Sequence, residues 1–137
     1  MINSLEKNKT SWDKEAHRFF ARNPLPEYGP LAPFEDDLHL FGDVTNKKIL
    51  EIGCGSGHSL KYLDEQQAKE LWGIDLSTAQ INTAAEVLKD TRSDVKLLES
   101  PMEEDPGLPH QYFDIVFSIY ALGWTTNLEK TLDNINK

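Results

Sequence analysis

The sequence predicts an α/β protein in which helices cover both faces of a parallel sheet. Two observations support this class. Short β-branched segments alternate with helical patterns of ten or more residues, which implies right-handed crossover connections between parallel strands. A turn with three alternate glycines, residues 53–57, directly follows the first β-branched segment. With 137 residues, 39% of them hydrophobic, the chain is long and apolar enough for one domain with its own core.

Residues 1–46 predict a polar, helical lead-in that prolines interrupt. Apolar side chains at i, i+4, i+7 and i+8 indicate an amphipathic helix, and they are Trp12, Ala16, Phe19 and Phe20. Thr10, followed by Asp13, is the expected N-cap of this helix. Four prolines forbid regular structure over residues 23–32. A second, short helix is expected over residues 34–41.

From Lys47 onward, strands and helices alternate. Strands are expected over residues 48–52, 71–75, 95–99 and 113–119. A helix is expected over residues 58–67, and two more follow the capping boxes that begin at Ser77 and Thr126. The link between the third and fourth strands, residues 100–111, is a loop rich in proline and acidic residues.

The composition favours a cytoplasmic protein that acts on a small molecule. Asp and Glu number 23 against 14 Lys and Arg, so the formal net charge is −9, which disfavours nucleic acids and anionic membranes as partners. The single cysteine, Cys54, cannot form an internal disulfide. The apolar run over residues 115–124 is well short of the roughly 20 residues that span a bilayer. The N-terminus carries no apolar segment of a secretory signal.

The glycine turn is the strongest functional signal. It has the form Glu51-x-Gly53-x-Gly55-x-Gly57, after a strand and at the start of a helix. Glycines let a ligand approach the backbone, and a helix N-terminus attracts a carboxylate or a phosphate. Dinucleotide-binding loops need G-x-G-x-x-G, which places a third glycine where this chain has His58. A nicotinamide-dependent oxidoreductase is therefore the less favoured alternative.

The segment Ile49-Leu-Glu-Ile-Gly-Cys-Gly-Ser-Gly-His58 resembles the first motif of class I S-adenosylmethionine-dependent methyltransferases. Gly73-Ile-Asp-Leu-Ser77 is similar to the second motif of that family, and Phe113-Asp-Ile-Val-Phe-Ser-Ile-Tyr-Ala-Leu122 to its fourth-strand motif. The resemblance covers residues 47–137 and is closest to the small-molecule branch with ubiquinone and sterol methyltransferases. It implies a Rossmann-like fold, S-adenosyl-L-methionine as cofactor, and methyl transfer to a small-molecule acceptor.

The resemblance also assigns cofactor contacts. Gly53, Gly55 and Gly57 would let the backbone pass close to the amino-acid end of the cofactor. Glu51 would contact or order the methionine end, although a solvated carboxylate at a strand end is the alternative reading. Asp75, 20 residues after Gly55, would accept hydrogen bonds from both ribose hydroxyls, or serve only as a helix cap. Leu76 would pack on the adenine.

Further contacts are expected beyond the third and fourth strands. Ser100 stands where the family commonly has Asp, and Met102 and Glu103 are the candidates for the adenine contact. Ser118 and its neighbours Ile119 and Tyr120 end the fourth strand, where the backbone would meet the cofactor's ammonium group and the substrate.

The other residues expected to contact the cofactor lie within the glycine turn or in residues 1–46. Cys54 lies within the loop and would face the cofactor as a small filler, not as a nucleophile. Tyr28 and Trp12 belong to residues 1–46, a segment that often folds over the cofactor as a lid in this family; packing without ligand contact is the alternative for both. The four histidines show no metal-ligand spacing, and no substrate base is identified.

The family's sheet has seven strands, whereas this chain supplies four. We therefore expect the N-terminal part of the fold: lid helices over residues 1–46 and an incomplete cofactor-binding domain over residues 47–137. A truncated chain is the expected explanation, and a natural half-domain would need a partner along the fourth strand, for which a homodimer is one arrangement. A non-catalytic cofactor-binding or assembly module remains the alternative function.

Overall fold

A four-stranded parallel sheet forms the centre of the molecule. The computed structural model describes residues 3–19, 33, 35–119, 121 and 125–136. The strands are β1 (Lys48–Ile52), β2 (Glu70–Asp75), β3 (Asp94–Glu99) and β4 (Ile115–Phe117). Their order across the sheet is β3-β2-β1-β4, and every neighbouring pair is parallel. The α/β class predicted from the sequence is confirmed.

Five helices accompany the sheet in the described part of the chain. They are α1 (Ser4–Phe19), α2 (Glu35–Leu38), α3 (His58–Glu65), α4 (Thr78–Val87) and α5 (Leu128–Ile135). None of the described helices is both long and apolar enough to cross a membrane.

Each face of the sheet has its own apolar cluster, because neighbouring residues of a strand point to opposite faces. On one face Ile49 and Leu71 are fully buried against Leu60 and Leu63 of α3. On the other face Leu50, Ile52 and Ile74 form the second cluster, which the loop after β3 and the end of α5 partly cover. Full burial of a side chain of this size contributes about 1.5–3 kcal/mol to the free energy of unfolding.

Two predicted helix starts are wrong. Helix α1 begins at Ser4, so Thr10 lies inside it. The cap is Asn3, whose side chain accepts a hydrogen bond from Glu6 N at 2.8 Å while Glu6 bonds back to Asn3 N at 3.3 Å. For α5 the N-cap is Asn127, which accepts from Lys130 N at 3.0 Å, and not Thr126.

The strand order places β1 in the interior of the sheet, between β2 and β4. From β1 the chain runs outward through β2 to β3, and then returns to the other side of β1 to form β4. Open parallel sheets bind ligands beyond the carboxyl ends of their strands where the winding direction reverses. Here that point lies between β1 and β4, and the glycine turn follows β1.

Candidate functional site

The glycine turn is shaped by its backbone and by the helices below it. Gly53, Gly55 and Gly57 all have positive φ, at +74°, +54° and +81°. A Cβ on Gly57 would lie 3.0 Å from Leu88 and 3.1 Å from Ala84, so this glycine allows α3 to begin directly against α4. A Cβ on Gly55 would meet only the Gln80 amide, at 4.0 Å. There is therefore open space beside the Cα of Gly55, whereas at Gly57 a side chain would collide with α4.

Asp75 ends β2 and holds the glycine turn in place. Its carboxylate accepts hydrogen bonds from Gly55 N and from Ser77 N, both at 2.9 Å. Burial raises the pKa of Asp75 above its ordinary value, although the bonds from Ser77 and Gly55 oppose this shift. A carboxylate has about four acceptor positions. The two oxygens of Asp75 therefore retain acceptor capacity beyond these two backbone bonds.

Glu51 is a buried carboxylate with an unsatisfied oxygen. Its side chain is only 4% exposed, so the alternative of a solvated strand end is wrong. Among the described residues, Oε1 of Glu51 has no hydrogen-bond partner. Burial, and next the charge of Asp75, hold the pKa of Glu51 well above its ordinary value. An unpaired buried carboxylate is costly, and a cationic ligand would relieve that cost.

Cys54 is a packing residue. It is 5% exposed, and a Cβ on Gly73 would lie 2.8 Å from its sulfur. Burial, together with the charges of Glu51 and Asp75, raises the pKa of the thiol well above its ordinary value. The thiol is therefore protonated at neutral pH, and protonated thiols are poor nucleophiles. Among the described residues, no group of three His, Cys, Asp or Glu side chains could hold a metal ion.

The loop after β3 lies beside the carboxyl end of β2. The backbone N–H of Ser100 donates to the carbonyl of Asp75 at 2.9 Å, and its hydroxyl donates to the carbonyl of Pro101 at 3.0 Å. The Ser100 hydroxyl is thus engaged in a local bond with the chain itself.

Glu103 ties this loop to the segment before α5. Its Oε1 accepts from the Thr125 hydroxyl at 2.7 Å, from the Thr126 hydroxyl at 3.1 Å and from Thr126 N. Burial alone would raise the pKa of Glu103, but the bonds from Thr125 and Thr126 outweigh it and hold the pKa below its ordinary value. A structural bond of this kind was not anticipated for Glu103, for which the sequence suggested either a cofactor contact or a place on a solvated acidic loop; its 7% exposure contradicts the second reading.

These elements enclose a cavity of about 140 Å³ at the carboxyl ends of the strands. Several of the residues expected to contact the cofactor line it, among them Gly53, Gly55, Asp75, Leu76, Ser100, Met102 and Glu103. Ile119 and Ala121, which follow β4, complete the wall opposite β2.

Four other predicted residues are not part of the lining. Glu51, which precedes the glycine turn, and Cys54 and Gly57, which belong to it, are buried. Ser118 donates its hydroxyl hydrogen to the carbonyl of Ile52 at 2.9 Å, which ties the end of β4 to the end of β1. Tyr28 and Tyr120 lie outside the described residues.

The side of the cavity away from the sheet is formed by α1. Leu5, Asn8 and Trp12, at i, i+3 and i+7, line it together. Trp12 was a sequence candidate, but Leu5 and Asn8 were missed, because they precede the start predicted for the helix. Gln80 and Pro101 were also missed. Gln80 was noticed only as part of a capping box, and nothing in its local sequence indicated that it would reach the cavity.

The fold and this site indicate a methyltransferase, and comparison with known proteins gives the same class of protein. Residues 50–137 match the methyltransferase domain family. The chain therefore belongs to this family.

Named relatives extend the comparison. The chain is 30% identical to the probable S-adenosylmethionine-dependent methyltransferase CRG1 of Saccharomyces cerevisiae, over 93% of this chain and 44% of the yeast protein. It is 31% identical to the tRNA U34 carboxymethyltransferase of Klebsiella pneumoniae, over 88% of this chain and 36% of that enzyme. The chain thus spans about two fifths of the length of these curated relatives.

A solved structure shows the same fold. A SAM-dependent methyltransferase from Aquifex aeolicus superposes with a TM-score of 0.65 at 22% identity, over 99% of this chain and 66% of that one. The sheet described above is therefore a Rossmann-like methyltransferase sheet, as the sequence predicted.

The cofactor of this family is S-adenosylmethionine, and the residues present fit it. The cofactor carries a positively charged sulfur and an ammonium group. Asp75 in the cavity wall and the unpaired oxygen of Glu51, which is buried behind that wall, favour positive charge at this place. The open backbone of Gly55 leaves room for a ligand beside the turn. Asp75 retains acceptor capacity for hydroxyl groups.

Proposed function

We propose that the protein transfers a methyl group from S-adenosylmethionine to a small-molecule acceptor, and that this chain is the part that binds the cofactor. The observation that supports it most is the buried, unpartnered oxygen of Glu51 beside Asp75, directly below the glycine turn. Such an arrangement favours a cationic ligand over a nicotinamide dinucleotide, whose pyrophosphate is anionic. The glycine spacing points the same way.

The chain's residues would act mainly by binding and alignment. The bound cofactor supplies an activated methyl group, so catalysis depends on positioning the acceptor and excluding water. Asp75 would hold the ribose hydroxyls, Glu51 would balance the positive charge, and Leu76 and Met102 would enclose the adenine with apolar surface. Helix α1 would shield the cavity from solvent. The only titratable side chains in the described cavity wall are Asp75, which we assign to the ribose, and Glu103, which is bonded to Thr125 and Thr126, so we assign no general base.

The choice of a small acceptor rests on charge. The formal net charge is −9, and RNA binding depends on neutralising phosphates with Lys and Arg. The Klebsiella relative is named for a tRNA reaction, so RNA is the acceptor class against which the proposal must be tested. A cytoplasmic location is proposed as well, from the single buried cysteine.

The first test is calorimetric titration of S-adenosylhomocysteine into the chain, with NAD as the control ligand. Binding of S-adenosylhomocysteine alone supports the proposal, and binding of NAD alone contradicts it. Transfer of radiolabelled methyl groups is then measured with a small-molecule extract and with bulk tRNA as separate acceptors. Labelled tRNA would refute the small-acceptor proposal, and cofactor binding without transfer to either acceptor would favour a non-catalytic module.

A further inference from the structure

Glu51 is a buried acid without a cationic partner in the part of the chain that the structure describes. It is only 4% exposed, and its Oε1 has no hydrogen-bond partner there. No Lys, Arg or His among the described residues forms an ion pair with it. A carboxylate that leaves water without a partner is so unfavourable that the group binds a proton instead. The surroundings of Glu51 therefore favour its neutral form.

The groups next to Glu51 in the sheet and the glycine turn do not offset this preference. Its neighbours in the strand register, Gly73 of β2 and Phe117 of β4, carry no charge. The turn contributes the thiol of Cys54, whose raised pKa keeps it neutral. Helix α3 begins with His58, whose pKa burial lowers, so that the ring is mainly neutral at neutral pH.

Helix α1 contributes charges of both signs, and they act on the neighbouring Asp75. The charge of Asp13 raises the pKa of Asp75, and that of Lys9 lowers it. The two effects oppose each other, and the remaining lysines in the described part of α1 are exposed. The described side chains of α1 therefore offer no cation to the buried oxygen of Glu51.

The hydrogen bonds of Asp75 decide which of the two acids carries a proton. The charge of Asp75 adds to the effect of burial on Glu51, and two such like charges do not ionise together readily. The carboxylate of Asp75 accepts from Gly55 N and from Ser77 N, both at 2.9 Å, and these bonds stabilise its charge. Oε1 of Glu51 has no such donor among the described residues. The proton of the pair therefore belongs on Glu51.

We propose that Glu51 carries a proton in the free protein and releases it to solvent when the cofactor binds, so that the ammonium group of the ligand replaces the proton as the positive charge near the two acids. This inference rests on the proposed function. The O–H bond of the carboxyl group breaks and its proton passes to water or buffer, while the ammonium group keeps its own hydrogens. A ligand without an ammonium group should leave the proton in place.

The number of released protons is measured by calorimetry in buffers of different ionisation enthalpy. S-Adenosylhomocysteine should release at least about half a proton per bound ligand from the wild type at the pH of maximal release. Its affinity should rise with pH, by up to about tenfold per unit, between about pH 5 and about pH 7.5. Saturating 5′-methylthioadenosine, which keeps the adenosine and the thioether but has no ammonium group, should release none.

Two variants show where the proton comes from. Glu51→Gln should abolish the release, whereas Glu65→Gln, at an exposed acid at the end of α3, should behave as the wild type. Equal release by the two variants would overturn the proposal, and so would a wild type that binds S-adenosylhomocysteine without releasing a proton.

Infrared spectroscopy of the free protein gives a readout that does not need ligand binding. Wild-type chain labelled with carbon-13 at the glutamate carboxyl groups should show the C=O band of a protonated acid at neutral pH, where exposed glutamates are ionised. S-Adenosylhomocysteine should remove this band, and Glu51→Gln should lack it. A free wild type without the band would overturn the proposal. If the wild type fails to bind S-adenosylhomocysteine, the proposed function fails, whereas the proton on Glu51 is still judged from this spectrum.

Discussion

The carboxylate of Asp75 accepts a hydrogen bond from the backbone N–H of Gly55 at 2.9 Å, across 20 residues of sequence. This bond joins the turn after β1 to the end of β2. One side chain therefore shapes the glycine turn and also forms part of the cavity wall. Loss of its charge should affect the ligand site before it affects the core, because Asp75 lies at the end of its strand.

Asp75→Asn should weaken S-adenosylhomocysteine binding by about 10- to 100-fold. Hydrogen bonds to a charged group contribute about 1.5–3 kcal/mol, and the amide offers one acceptor oxygen where the carboxylate has two. Calorimetry gives the dissociation constant, and Asp90→Asn, an exposed acid beyond the end of α4, is the matched control. Equal affinity in both variants would remove Asp75 from the binding site.

Glu51→Gln should change how stability depends on pH. Burial raises the folded-state pKa of Glu51 above its ordinary value of 4.5, so the folded state holds this proton more tightly than the unfolded state. Its contribution to stability is present below pH 4.5 and is lost as the pH rises through the raised pKa. The variant should therefore gain stability relative to the wild type as the pH rises above 4.5.

Urea unfolding at a series of pH values measures this difference. Glu65→Gln, at an exposed acid at the end of α3, is the matched control for the substitution itself. The same Glu51→Gln variant should bind S-adenosylhomocysteine more weakly, because the amide cannot ionise when a ligand with an ammonium group binds nearby. A constant stability difference across the pH range would contradict the assignment of Glu51 as a buried acid with a raised pKa.

Gly57→Ala should be more destabilising than Gly42→Ala. Both glycines have positive φ, +81° and +65°, so each substitution incurs a backbone cost of about 1–2 kcal/mol. At Gly57 the new methyl group also meets Leu88 and Ala84 at 3.0–3.1 Å, whereas nothing lies within 4 Å at Gly42. Overpacking adds about 1–3 kcal/mol. Chemical denaturation measures both, and equal losses would show that α3 and α4 can move apart freely.

Glu103→Ala should lower the free energy of unfolding by about 1–3 kcal/mol, because it leaves the bonded N–H of Thr126 and two threonine hydroxyls without their acceptor. The adjacent Glu104→Ala, at an exposed position, is the control. Thermal or urea unfolding of the two variants measures the difference in their free energies of unfolding. A Glu103→Ala variant as stable as Glu104→Ala would indicate that the bond to Thr126 is unimportant for the fold.

Three of the four strands could be predicted almost to the residue. β1 agrees with the expected residues 48–52, and β2 and β3 each begin one residue early. β4 is shorter than the expected residues 113–119, and a side chain bonds to β1 at each of its ends. The Asp114 carboxylate accepts from Lys48 N at 2.8 Å, and the Ser118 hydroxyl donates to the Ile52 carbonyl at 2.9 Å. Bonds between residues so far apart in the chain leave no periodic signal in the sequence.

The site was predictable where its residues follow strands directly. Gly55 and Asp75 belong to this group, because residues at the end of a parallel strand lie at the same edge of the sheet as the carboxyl ends of its neighbours. Leu5 and Asn8 were not, because they enter the cavity through the docking of α1, which depends on contacts between residues far apart in sequence such as Lys9 and Glu99. In α5, Leu128 and Leu132 lie four residues apart on one side of the helix, yet they are 51% and 43% exposed.

The strand order has a consequence for how the molecule folds. Lys48 pairs with Glu70 and Glu70 with Asp94, so β1, β2 and β3 come together through chain segments of similar, modest length. Ile49 pairs with Ile115, which closes a loop of 66 residues. Long closures cost more entropy and slow folding. We therefore expect β4 to join late, and with it Ile119 and Ala121, so that the binding cavity becomes complete only after the other three strands have assembled.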